Sequence, residues 1–202
     1  MGKNEEIRQR DLAVLWHPTT QMKDHEWLQL LPVKSAQGVW LKDMEGNRYI
    51  DAISSWWVNL FGHANPHISA AVSEQARCLE HVILAGVTHE PAVRLAEKLV
   101  EITPSGLERV FFADSGASAV EISLKMSFHY WRNIGESGRN RFVTLSNSYH
   151  GDTLGALSVG DAGLFKAAYE PLLMEPLVAP SPDCFALPRD QWDEHALSLI
   201  HI

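Results

Sequence analysis

RVFFADSGASAVEISLKMSFHYW, residues 109–131, is the stretch whose pattern decides the fold. Its first five residues, Arg109 to Ala113, form a short apolar run suited to a buried strand. Asp114-Ser115-Gly116 turns the chain. Ala117, Val120, Leu124, Phe128 and Trp131 then recur at three- and four-residue steps, the spacing of a helix of about four turns. After a polar link from Gly135 to Asn140, RFVTLS at 141–146 has the composition of a second strand. Strand, helix, strand predicts a βαβ unit, and with it a parallel sheet in an α/β domain.

Upstream, the spacing predicts a helix from Pro66, with Ile68, Val72, Gln75, Leu79 and Val82 along one stripe. A further helix starts near Glu90-Pro91, buries Val93, Ala96, Leu99 and Val100, and stops at Pro104-Ser105-Gly106. In GVWLKDMEGNRYIDA, residues 38–52, two β-prone runs flank the turn-rich Asp43–Asn47 segment and predict a hairpin. The first thirty residues are expected to form an extended arm closed by Pro18 and Pro32. Beyond Pro171 the chain is rich in proline, and no regular element is predicted there.

The composition, 46% hydrophobic and 21% charged over 202 residues, is that of a globular protein rather than a disordered one. No apolar run reaches the roughly 18–20 residues that span a bilayer, and the charged start has no secretory core. A cytoplasmic protein is therefore expected. A net charge of -8 disfavours nucleic acid as a partner. Cys78 and Cys184, far apart in sequence, suggest reduced thiols rather than a disulfide framework or a metal site.

Three clusters can carry chemistry. In DSGAS, Gly116 removes a side chain where a helix begins, and the free amides of the first turn suit an anion; Ser115 or Asp114 could equally be simple helix caps. In SNSYHGDTLGA, Tyr149 and His150 follow a strand and Gly151 and Gly155 permit sharp turns. Tyr149 could stack on a flat cofactor or be a half-buried loop aromatic, and His150 alone suits a structural role. Both clusters are expected at the carboxyl ends of neighbouring strands, where open α/β sheets gather ligands. In SSWWVNLFGHANP, an extended backbone would send one tryptophan to the core and the other to a cleft, where an aliphatic substrate could lie; core packing for both is the alternative. Lys125, four residues after Glu121, reads as half of a surface ion pair.

The string FFADSGASAVEISLKMSFHYW followed by SYHGDTLGALSVGD resembles the class III aminotransferases, whose helix motif is close to SGSEAxExAxK and whose later motif is YHG. LWHPTTQMK, DAISSWWVNLFGHANP and HVILAGVTHEP extend the resemblance over about residues 11–182. It implies an α/β, fold-type I transferase dependent on pyridoxal 5'-phosphate. Residues 1–65 would be an amino-terminal arm and small-domain β segment, and 66–190 an incomplete, truncated large cofactor-binding domain. An uncertain tail, 191–202, would follow and could be read-through. The resemblance further implies amino transfer from S-adenosyl-L-methionine to 8-amino-7-oxononanoate, giving 7,8-diaminononanoate in biotin synthesis, by a homodimer.

Carried over by motif, Gly116 and Ala117 would bind the cofactor phosphate, Tyr149 would cover its ring and touch substrate, Trp56 would line the substrate pocket, and Asp152 would steady the loop. Thr19 stands where some members have a tyrosine that recognises the donor, so donor identity is less determined than the acceptor. The family's ring-pairing aspartate and Schiff-base lysine belong to later stretches; Asp193-Glu194 does not match the first, and neither occurs by Ile202. This chain is therefore expected to be inactive alone. Another class III transaminase acting on an ω-amine, or a non-catalytic relic that only folds or dimerises, are the alternatives.

Overall fold

The computed structural model describes residues 1–185 and 187–192. The expectations for Asp193-Glu194 and the final ALSLIHI lie outside the described residues. Two compact units are present, one spanning Met1–Val93 and the other beginning at Arg94.

The first unit opens with helix α1, Lys3–Val14, where an extended arm was expected. This helix has little apolar stripe to reveal it. It is supported by its own polar pairs: Arg8 with Glu5, Arg10 with Glu6, and the Gln9 amide donating to Glu5. A 3₁₀ turn at Met22–Glu26 follows. Strands β1 (Val33–Gln37), β2 (Trp40–Asp43) and β3 (Arg48–Ile50) make an antiparallel sheet in chain order. The expected hairpin is β2–β3.

Asp43 organises that hairpin. Its fully buried carboxylate accepts from the Glu45 and Asn47 amides, the Asn47 and Asn4 side chains and the Tyr49 hydroxyl. Asn4 returns a bond by accepting from the Met44 amide, so α1 is stitched to the turn through polar groups. Next come α2 (Ser54–Trp57) and α3 (Pro66–Cys78). In α3 Asn65 caps the amides of His67 and Ile68, and Pro66 occupies the first helical position.

Helix α4 (Glu90–Ile102) ends where Pro104-Ser105-Gly106 was expected to stop it. Helix α5 (Gly116–Asn133) is somewhat longer than the spacing suggested. RVFFA, however, is not a strand: residues 109–113 carry no regular structure, and Phe111 is exposed. A strand exists only through a hydrogen-bonded neighbour, and none of the described strands lies against this segment. The parallel pair is instead β4 (Val143–Leu145) with β5 (Leu177–Ala179). The second strand falls in the proline-rich stretch where none was expected. The crossover between them holds α6 (Leu154–Ser158), α7 (Gly163–Lys166) and a 3₁₀ turn at Ala167–Leu172.

The apolar core of the second unit gathers on that crossover, at Ala156, Leu157, Val159 and Ala179. Buried polar groups there are paired. Thr144 Oγ1 donates to the Val159 carbonyl, and Ser158 Oγ accepts from the Met174 amide at 2.9 Å. The Lys166 ammonium donates to the Ser158 and Gly160 carbonyls that α6 leaves free at its end. No described helix is long and apolar enough to cross a membrane.

Candidate functional site

The first four amides of any α-helix lack intrahelical acceptors. At the start of α5, Ser115 Oγ accepts from the Ser118 amide at 3.1 Å, and the Ala119 amide donates to the Ser115 carbonyl at 3.0 Å. The capping role considered for Ser115 is therefore real. Asp114 joins it: the Ser118 side chain donates to its carboxylate and lowers its pKa. The amides of Gly116 and Ala117 remain for a ligand. A Cβ built on Gly116 would meet nothing within 4 Å, so the approach to these amides is open.

The YHGD loop lies against this helix start. Gly116, Ala117, Val120, Tyr149 and Asp152 share the wall of a cleft of about 790 Å³. Two adjacent strand ends were expected to bring the clusters together, but α5 and the loop before α6 do so instead. Gly151 sits at φ +116°, and a Cβ there would come within 2.6 Å of the Ala117 Cβ. Only glycine permits that approach. The Tyr149 hydroxyl donates to Asp152 Oδ2 at 2.9 Å, an interaction that raises the phenol's pKa and keeps it protonated. The Tyr149 ring is itself 59% exposed, so its faces are free to meet a ligand.

Glu121 was read as the partner of Lys125. Its carboxylate turns to the loop, accepting from the Thr153 side chain and from the Gly155 amide at 2.8 Å; these bonds hold its pKa down, and the Lys125 charge adds a smaller attraction in the same direction without a close ion pair. Lys125 is exposed on the helix surface. Glu121 thereby satisfies the amino-terminal amides of α6 and fastens the α6 end of the YHGD loop to α5. A carboxylate five residues after an open helix start, opposite a Gly-x-x-x-Gly loop, was the signal that could have identified it.

This chemistry fits a phosphorylated aromatic cofactor: two unpartnered amides with a helix dipole for the dianion, and an exposed phenol ring beside them for a planar heterocycle. Comparison with known proteins agrees. The family model for aminotransferase class-III matches residues 21–201. The chain belongs to the class III aminotransferases. It is 48% identical over 183 residues to the adenosylmethionine-8-amino-7-oxononanoate aminotransferase of Helicobacter pylori, covering 90% of this chain and 42% of that protein. The crystal structure of the Methanocaldococcus jannaschii enzyme of the same name superposes with a TM-score of 0.85 at 40% identity, over 91% of this chain and 42% of that one. The ω-transaminase of Pseudomonas jessenii, solved in complex with PMP, also gives 0.85, at 26% identity over 96% of this chain and 45% of that one. The chain thus spans less than half the length of these relatives and has the α/β fold of class III transaminases along the matched part.

Two further residues singled out for this class III aminotransferase chain lie in the first unit. Thr19 sits at φ 53° in an open groove lined by Trp16, His17, Gln21 and Asp24. Trp56 lies in α2, and its backbone corrects the extended segment expected there. Ser54, Ser55, Trp56 and Trp57 all have positive φ, at 49°, 46°, 65° and 67°. The four residues form a left-handed turn. Its period brings both indoles to one side, with ring centroids 6.5 Å apart and planes 30° from parallel, instead of sending them to opposite faces. Both rings are exposed, Trp57 at 73%.

Proposed function

We propose that the full-length protein carrying this chain is a pyridoxal-phosphate-dependent aminotransferase that converts 8-amino-7-oxononanoate to 7,8-diaminononanoate, with S-adenosyl-L-methionine as amino donor. The observation that carries the reading is the open start of α5, with the Gly116 and Ala117 amides beside the Tyr149–Asp152 loop. The names of the relatives at 48% and 40% identity support the substrate pair.

When bound, the cofactor would supply an electron sink for cleaving and forming bonds at the amine-bearing carbon. The residues of this chain do the rest of what is assigned to it. Gly116 and Ala117 would donate their amides to the phosphate, and the α5 dipole would favour its charge. Ser115, engaged with Ser118, fixes the direction in which those amides point. Tyr149 would cover the ring and screen it from water, while Asp152 holds the phenol by accepting its one proton. Trp56 offers an apolar wall to the aliphatic part of the acceptor. Thr19, lacking a ring, would meet the donor only through its hydroxyl and methyl groups. The proposal includes a cytoplasmic homodimer, in keeping with the acidic net charge and the apolar side chains, such as Leu60 and Phe61, left at the surface.

The test is steady-state kinetics of the full-length protein with both substrates. Trp56→Ala is expected to raise KM for 8-amino-7-oxononanoate about tenfold, a typical effect of removing one large apolar contact, with bound cofactor unchanged. Turnover of simple ω-amines in preference to 8-amino-7-oxononanoate would replace this reading with a general ω-transaminase.

A further inference from the structure

An L-residue in the left-handed helical region suffers a clash between its Cβ and the following carbonyl, so such residues occur singly and not as helices. Here four follow one another, and none is glycine. Something outside the turn must hold it. The backbone supplies bonds from the Ser54 amide to the Asp51 carbonyl, from the Trp57 amide to the Ile53 carbonyl, and from the Val58 and Asn59 amides to the Ser54 carbonyl. The remaining hold is Asp51. Its Oδ2 accepts from Ser55 Oγ at 2.7 Å and lies 2.7 Å from His63 Nε2, while the Ser55 amide also points to the carboxylate. The Asp51 side chain is only 6% exposed.

Both anchors of this arrangement are rooted in the turn between β1 and β2. The Asp51 amide donates to the Val39 carbonyl. His63 exchanges both backbone bonds with Gly38, at 2.9 and 2.8 Å, and Gly62 lies so close to Gly38 that a Cβ would reach its Cα at 3.0 Å. Asp51 and His63 are therefore fixed before the turn begins and after it ends, and Ser55 is drawn to the point where they meet.

We propose that Asp51, acting with His63 through the Ser55 hydroxyl, is a positioning residue that holds Ser54–Trp57 left-handed and so sets the indole wall that selects the amino acceptor. This rests on the reading of Trp56 as substrate wall. Glycine at these positions would form the same turn without strain, but it would remove the side chains. The clamp lets the chain keep two serines and two tryptophans in a conformation that glycine alone adopts freely.

The experiment uses the full-length, cofactor-loaded protein and compares Ser55→Ala, Ser55→Gly and Trp56→Ala. Alanine and glycine both remove the hydroxyl, but only alanine is penalised in the left-handed region. Ser55→Ala is expected to raise KM for 8-amino-7-oxononanoate roughly fivefold or more, with kcat and cofactor absorbance within about twofold of the parent. It should also weaken the circular-dichroism couplet of the stacked Trp56–Trp57 pair. Ser55→Gly should restore both KM and couplet. Equal KM increases for the two Ser55 variants would mean that the hydroxyl meets substrate directly, which overturns the clamp. Parent-like KM in both, with Trp56→Ala still impaired, overturns the clamp and leaves the wall standing. An unimpaired Trp56→Ala removes the wall and the clamp's purpose together. If Ser55→Ala does not accumulate, Asp51→Asn with and without Ser55→Gly gives the same comparison: recovery of KM and couplet by the glycine supports the clamp, and its absence overturns it.

Discussion

Asp51 holds the turn at Ser54–Trp57, and Glu121 holds the loop that runs from Tyr149 to Gly155; the backbones they hold differ in kind. The first is wound left-handed by residues that all carry a Cβ. The second places glycine at its two points of closest approach, Gly151 against Ala117 and Gly155 against Glu121. Where glycine is used, the backbone itself must come near something, here the helix start that is open to a phosphate. Where glycine is avoided despite positive φ, the side chains are what the turn presents. One loop is shaped to bring main chain close, the other to display two indoles.

The largest expected effect tests the glycine half of that contrast. Gly151→Ala would place a Cβ 2.6 Å from the Ala117 Cβ and 3.0 Å from its Cα at a φ of +116°, and a loss of about 3 kcal/mol in urea unfolding of the full-length protein is expected, a severe case of overpacking on a strained backbone. A loss below about 1 kcal/mol would mean that main-chain proximity does not set this loop. Glu121→Ala should cost about 1–2 kcal/mol by leaving the α6 amides unpaired, with much of it recovered in Glu121→Gln. Its second signature is weaker retention of pyridoxal phosphate on dialysis. Ser115→Ala should cost about 1 kcal/mol and Ser115→Gly only a few tenths, as for an ordinary amino-terminal cap. On the other side of the comparison, Ser54→Gly should be neutral or stabilising by up to about 1 kcal/mol, because it removes a strained Cβ.

The finest test is pH. The Ser55 backbone bond, the His63 ring and the Ser55 hydroxyl lower the Asp51 pKa to about 2 from its ordinary 3.8, and Glu121 is lowered as well. A depressed carboxylate favours the folded state above its unfolded pKa, and that contribution disappears as pH falls through the folded value. Neither group should alter stability across the neutral range. For Asp51 the loss should fall between about pH 4 and pH 2. Asp51→Asn should flatten that acid limb in unfolding midpoints measured against pH.

Much of this architecture was legible in the sequence where side-chain period and turn chemistry agree. The stripe in residues 117–131 and the Asp43–Asn47 turn became the expected elements, and the stripe from Pro66 did so as far as Cys78, with Leu79 already extended and Val82 beyond the helix. Helix α1 escaped notice because it is polar on every side and is steadied by pairs such as Glu6–Arg10. RVFFA has the composition of a strand, but composition cannot supply the neighbour a strand needs. β5 was hidden by flanking prolines that stop short of the strand itself. At the site, the motif strings located Gly116, Ala117, Tyr149 and Asp152 in one cleft. The roles of Glu121 and Asp51 were not legible, since each depends on partners up to 34 positions away in sequence for Glu121 and on a backbone hand that no glycine announces for Asp51.

The crossover between β4 and β5 also sets an order of assembly. Leu145 cannot find Ala179 until the chain has gone through α6 and α7 and back, and that closure costs entropy before any strand bond is made. On a ribosome, β4 emerges well before its partner exists. The bonds that do not wait for β5 are those of the crossover to β4: Thr144 to the Val159 carbonyl, and the Asp161 amide to the Ser148 carbonyl at 2.8 Å. They let α6 dock on β4 once Asp161 is clear of the ribosome, shielding a lone strand and giving β5 a prepared edge to join.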